Sequence, residues 1–264
     1  MKTVEVNGID LAYIDEGTGL PVVLVHGFPL DHAMWDAQVE ALKGEHRVIV
    51  PDLRGFGRSG VTEGTVTMEQ FADDVAGLLD ALGIQKRVLV AGLSMGGYVV
   101  FQFFRRHRGR VRGLVLCDTR AGADTPEAAA ARRETAGQVL REGPGSLVEN
   151  MPARLFAGAT LRDRPELDES LRRVIAGTDP RGIAAASRGM AERPDDTPLL
   201  PEIDCPTLVV VGGEDAISPP EEMGRIAAAI PGARLVEVPD AGHMSPMENP
   251  AAVNAALREF LGSL

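Results

Sequence analysis

Two hydrophobic patterns alternate along this chain. Residues 22–25, 48–50, 88–90, 114–116, 208–211 and 235–238 are short, mostly apolar and rich in β-branched side chains, as parallel strands buried on both faces require. Between the second and third of these runs the period lengthens to that of a helix. Thr67 with Gln70 three residues on reads as a capping box, and Phe71, Val75, Leu78, Leu79 and Leu82 then recur on one face. The alternation predicts an α/β fold, a doubly wound, mostly parallel sheet with helices on both sides. From about residue 119 to 200 the strand signal disappears. Helical stretches replace it: residues 126–142, stopped by Gly143-Pro144-Gly145, and others opening near Pro165 and Pro180. The expected organisation is therefore a core of residues 1–118 and 201–264 with a helical cap, 119–200, inserted over the carboxyl ends of the strands, where α/β sheets place ligands. No internal repeat is visible.

Composition narrows the function classes. With 264 residues, 44% of them hydrophobic, the chain can bury a full core. A formal net charge of -11 disfavours nucleic acid and anionic membrane surfaces as partners. The first residues enter strand-like alternation at once, so no signal peptide is expected, and no apolar run is long enough for a membrane span. These features lead to the expectation of a soluble, cytoplasmic protein whose Cys117 and Cys205 are free thiols and bind no metal.

The chemistry centres on Gly92-Leu93-Ser94-Met95-Gly96, which follows the apolar run at 88–90 and precedes a helix-forming segment. A G-x-S-x-G between strand and helix forces a turn so tight that the serine is held in strained geometry with its hydroxyl at the sheet edge. Gly92 and Gly96 lack the β-carbon that would clash across such a turn. The Met95 N–H, at a helix N-terminus, is placed to stabilise an oxyanion.

A serine nucleophile needs a base and a group to orient that base. His243 lies on a loop after the last predicted strand, ahead of a helix marked by Asn249 and Pro250, and so at the sheet edge that holds Ser94. His26 also follows a strand and competes for the role; His32, His46 and His107 read as surface or capping residues. The chain order serine, acid, histidine favours His243. Asp215 follows the strand at 208–211 and fits that order, while Asp118, also at a strand's carboxyl end, remains an alternative acid. In His26-Gly27-Phe28-Pro29, the Phe28 N–H is the candidate second oxyanion donor. Loss of one such donor costs about 3 to 4 kcal/mol of transition-state stabilisation. Leu140, Leu147, Met151, Leu155 and Phe156 form an apolar face of the insertion, suited to helix packing or to lining a substrate site.

Taken together, His26 to Pro29, Pro51-Asp52-Leu53-Arg54-Gly55-Phe56-Gly57-Arg58-Ser59, Gly92 to Gly97, Gly213-Glu214-Asp215 and Gly242-His243 resemble the ordered motifs of the α/β-hydrolase superfamily over the whole chain. Leu116 to Arg120, Gly189 to Asp195 and Asp215 to Pro220 resemble bacterial carboxylesterases of the arylesterase and perhydrolase-like branch. The resemblance implies a cofactor-free, metal-free serine esterase acting on small-molecule acyl or aryl esters. Enol-lactone hydrolysis, perhydrolysis and a hydrolase-fold binding protein with little turnover are the alternatives it leaves open. Oligomeric state is not legible.

Overall fold

The computed structural model describes residues 1–264. Eight strands form one sheet: β1 (Lys2–Val6), β2 (Ile9–Glu16), β3 (Leu20–Val25), β4 (His46–Pro51), β5 (Val88–Leu93), β6 (Val111–Cys117), β7 (Thr207–Gly212) and β8 (Arg234–Val238). Their order is β1-β2-β4-β3-β5-β6-β7-β8. From β4 to β8 every pairing is parallel; β2 runs antiparallel to both β1 and β4.

The order has a direct consequence for chemistry. Because β3, β5, β6, β7 and β8 are consecutive and parallel, the loops after all five emerge at one edge. Those loops carry Phe28, Ser94, Asp118, Asp215 and His243.

Helices α1 (Asp36–Leu42), α2 (Met68–Ala81) and α3 (Met95–His107) alternate with the first strands. In α2 the anticipated cap is present, with Gln70 N donating to Thr67 Oγ1 at 3.2 Å, and Phe71, Val75, Leu78 and Leu79 are buried. Six helices separate β6 from β7: α4 (Pro126–Glu142), α5 (Gly145–Asn150), α6 (Pro152–Leu155), α7 (Gly158–Asp163), α8 (Pro165–Gly177) and α9 (Pro180–Ala191). After β7 come α10 (Pro220–Ala229), α11 (Ser245–Glu248) and α12 (Pro250–Gly262), the last capped by Asn249, whose Oδ1 accepts from Ala252 N.

Helix α9 rests on the rest of the fold through glycine. A β-carbon on Gly182 would lie 2.0 Å from Gly55 O, and one on Gly189 would lie 1.8 Å from Val66 O, so only glycine allows the backbones to approach this closely. The two main hydrophobic clusters lie on opposite faces of the sheet, as expected of strands apolar on both sides: Val23 and Val25 point into one, Val22 and Leu24 into the other. No helix is long and apolar enough to cross a membrane.

Two details differ from the sequence expectation. β2 carried no distinct signal among the apolar runs, although Asn7 and Gly8 both have positive φ, 47° and 78°, as a tight hairpin turn demands. β8 was expected to be buried, but it is the sheet's edge strand and leaves Leu235 exposed.

Candidate active site

Ser94 sits between β5 and α3 with φ 54° and ψ -114°, a conformation that costs a non-glycine residue on the order of 1–3 kcal/mol. Neighbours hold it there. Its N–H donates to Cys117 O at 3.0 Å, and its carbonyl accepts Thr119 Oγ1 at 2.7 Å. The glycines around it are steric requirements: a β-carbon on Gly92 would lie 2.2 Å from Gly96 O, and one on Gly96 2.3 Å from Val25 O. Gly97 has a role the sequence did not reveal. It leaves room for Thr119, whose Oγ1 would be 2.3 Å from a β-carbon at that position.

Met95 opens α3, so its N–H is one of the four helical donors without an intrahelical acceptor. The Phe28 side chain packs against α4 and α9 and edge-on to Phe56, with ring centroids 6.2 Å apart.

His243 and Asp215 come together from the loops after β8 and β7. Both are buried, and His243 Nδ1 lies 2.8 Å from Asp215 Oδ2. Asp215 is itself oriented, because its other oxygen accepts the N–H groups of Ile217 and Ser218 at 2.7 and 3.0 Å. That division leaves Oδ2 aimed at the imidazole, which fixes a proton on Nδ1 and leaves Nε2 as the basic nitrogen.

The competing histidine is fully engaged. His26 Nδ1 bonds to Gly27 O and its Nε2 accepts the Leu53 N–H, both at 2.9 Å, so neither nitrogen is available as a base. Burial holds its pKa below the ordinary histidine value. His32 binds Asp52 Oδ1 at 2.7 Å, His107 pairs with Asp73, and His46 opens β4 at the opposite end of the strands.

Asp118 is buried one strand away from Asp215, and its bonds lie elsewhere. Its Oδ1 accepts Gly212 N at 2.7 Å, and its Oδ2 lies 2.6 Å from Ser245 Oγ. It thus joins the loop that carries Asp215 to the loop that carries His243. Burial, and then the negative charge of Asp215, push its pKa well above the carboxylate range.

A raised folded pKa means that the folded protein binds this proton more tightly than the unfolded chain. Stability from this group therefore falls as pH rises from about 4, the unfolded aspartate value, toward the elevated folded one. Asp118→Asn keeps an acceptor for Gly212 and provides a neutral donor to Ser245. The variant's melting temperature relative to wild type is expected to rise with pH across that window in thermal melts. A difference that shrinks with increasing pH would contradict the assignment.

Phe28, Ser94 and His243 share a cavity of about 600 Å³. Leu147, Met151, Leu155 and Phe156 line it from the inserted helices, together with Ile217. Leu140 does not, because it follows the buried Val139 on α4 and the helical rotation of about 100° per residue turns it to solvent. Arg120, Arg132 and Arg154 also line it, as do Asp124 and the exposed Glu214; Arg132 pairs with Asp124, and Arg120 with Glu222.

The Pro51 to Ser59 motif turns out to be structural. Asp52 accepts the His32 and Arg58 N–H groups, and a β-carbon on Gly57 would lie 2.2 Å from the Asp52 carboxyl carbon. Arg54 makes a buried two-bond pair with Asp74. Asp31, His32 and Asp52 are close enough to share a cation, but Asp52 is already occupied by these bonds and Asp31 caps Ala33 N. Both cysteines are unpaired, and burial pushes the Cys205 thiol up to about 11.

Residues 21–250 match the family model described as alpha/beta hydrolase fold. The chain belongs to the α/β-hydrolase family. A thermophilic esterase from Thermogutta terrifontis is 55% identical over 100% of this chain and 99% of its own, with a TM-score of 0.98. The enol-lactonase of Burkholderia xenovorans LB400 is 34% identical over 99% of this chain and 100% of its own, with a TM-score of 0.92. A 3-oxoadipate enol-lactonase of Acinetobacter baylyi is 31% identical over 92% of this chain and 89% of that protein.

Proposed function

We propose that this α/β-hydrolase is a serine carboxylesterase that hydrolyses small to medium acyl or aryl esters through an acyl-enzyme on Ser94. The observation that carries the reading is the placement of Ser94 and His243 on one cavity, with Asp215 Oδ2 2.8 Å behind the imidazole. The 55% identical thermophilic esterase supports the same class of substrate.

In this reading Ser94 Oγ attacks the ester carbonyl carbon as His243 Nε2 takes its proton. The carbonyl oxygen becomes an oxyanion facing the Phe28 and Met95 N–H groups. The bond to the alcohol then breaks, and Nε2 returns the proton to the leaving oxygen. Water repeats the sequence on the acyl-enzyme, releasing the acid and restoring Ser94. Residues 119–200 act as a cap, closing the cavity over the carboxyl ends of the strands and supplying its apolar wall.

Arg154 on that wall, which pairs with no carboxylate while Arg132 is held by Asp124 and Arg120 by Glu222, favours a second reading, hydrolysis of an enol-lactone or another ester that carries a carboxylate. Two of the relatives are enol-lactonases, and the Thermogutta terrifontis esterase was solved with malate bound. A kinetic panel of aryl acetates, butyrates and octanoates, alkyl esters and a carboxylated enol-lactone separates the readings. The proposal expects the highest kcat/KM among short aryl esters. A preference of tenfold or more for the lactone favours the second reading, and no turnover by folded protein favours a binding role.

A further inference from the structure

The mechanism above makes no use of Glu248, yet this carboxylate, at the end of α11, is buried against the loop that carries His243. All four of its bonds are backbone or hydroxyl donors. Its Oε1 accepts Gly242 N at 2.9 Å and Met244 N at 3.1 Å, the amides on either side of His243. Its Oε2 accepts Ala157 N at 2.8 Å and Thr160 Oγ1 at 2.7 Å, both from the inserted helical segment. The amide of His243 itself donates to Leu155 O at 2.8 Å.

Three consecutive N–H groups, 242 to 244, are therefore fixed by one carboxylate and one carbonyl. The segments are in tight contact, since a β-carbon on Gly242 would lie 2.7 Å from Ala157 N. A buried carboxylate is costly unless donors saturate it, and half of these donors come from residues 157 and 160. Leu155 and Phe156, in the same segment, line the cavity.

We infer that Glu248 is a positioning residue for His243, transmitting the placement of the inserted segment 155–160 to the imidazole. This rests on the reading of His243 as the base. Displacing that ring by a fraction of an ångström leaves substrate binding intact and impairs proton transfer, because a misplacement of about 1 Å can cost a hundredfold in rate.

Glu248→Gln preserves shape but replaces two acceptor positions with an amide that faces N–H donors. Thr160→Val removes one donor, at a side chain that does not line the cavity. Each variant is to be measured in two ways. Steady-state kinetics on an aryl acetate, normalised to the fraction of sites labelled by a fluorophosphonate, gives kcat per competent site. Proton NMR follows the downfield signal of the His243 Nδ1–H bonded to Asp215.

The expected result for Glu248→Gln is a per-site kcat lower by about tenfold or more, KM within about twofold, and a shifted or broadened downfield proton. For Thr160→Val a loss of a few-fold with the same pattern is expected. Unchanged per-site kcat and an unmoved proton in folded Glu248→Gln would overturn the positioning role, and the same result in Thr160→Val would overturn transmission from the inserted segment. If Glu248→Gln does not fold, Thr160→Val decides by the same two readouts. Absence of wild-type turnover would count against the esterase reading alone, since the proton signal reports His243 placement without any substrate.

Discussion

Ser94→Ala is expected to lower kcat for aryl ester hydrolysis by about 10⁵- to 10⁶-fold, with a melting temperature within a few degrees of wild type. The loss is large because a missing nucleophile cannot be replaced by the base or the oxyanion donors, and members of such a triad contribute as a unit. The fold survives because the structural bonds at this position belong to the backbone. Ser94 N still reaches Cys117 O, and Ser94 O still accepts Thr119 Oγ1. Alanine is no less suited than serine to φ 54°, so the strain of the turn is unchanged. Kinetics on purified protein with parallel melts check both halves. Near wild-type turnover would remove Ser94 from the mechanism.

Asp215→Asn is expected to reduce kcat by about 10⁴-fold while Asp118→Asn costs far less. The reason lies in the two oxygens of Asp215. An asparagine keeps the oxygen that accepts Ile217 N and Ser218 N, so the loop stays in place. Its amide then takes the Oδ2 position and donates to His243 Nδ1, which drives the imidazole proton to Nε2, the nitrogen that has to accept from Ser94. Asp118 makes no hydrogen bond to His243; it spans Gly212 and Ser245. Side-by-side steady-state kinetics decide the matter, and a larger loss in Asp118→Asn would transfer the acid's role to that residue.

Much of this arrangement was readable in the sequence because its signals are local. The Ser94 turn needs its glycines within two residues on either side, and the helix at 126–142 opens on Pro126 and stops at Gly143. Asp215 and Asp118 were harder to separate. Both follow parallel strands, and only the third dimension shows that one faces His243 and the other faces a serine and an amide. Glu248 gave no signal at all. Next to Asn249 and Pro250 it looks like part of a helix start, whereas two of its partners lie 91 and 88 residues earlier in the chain. Phe28 was ambiguous for a different reason, since a packing role for its ring, which rests on α4 and α9, is compatible with a separate role for its backbone N–H. β2 was missed where polar Asp10, Asp15 and Glu16 interrupt its apolar positions.

An acyl group carried covalently by Ser94 is observable by intact-protein and peptide mass spectrometry of the rapidly quenched enzyme. During turnover of an aryl acetate, an added acetyl group is expected on the peptide that contains Ser94, absent from Ser94→Ala and accumulating in Asp215→Asn if deacylation is slowed more than acylation. A wild-type enzyme that turns over the ester with no acyl group on that peptide, or with one on another residue, would contradict it.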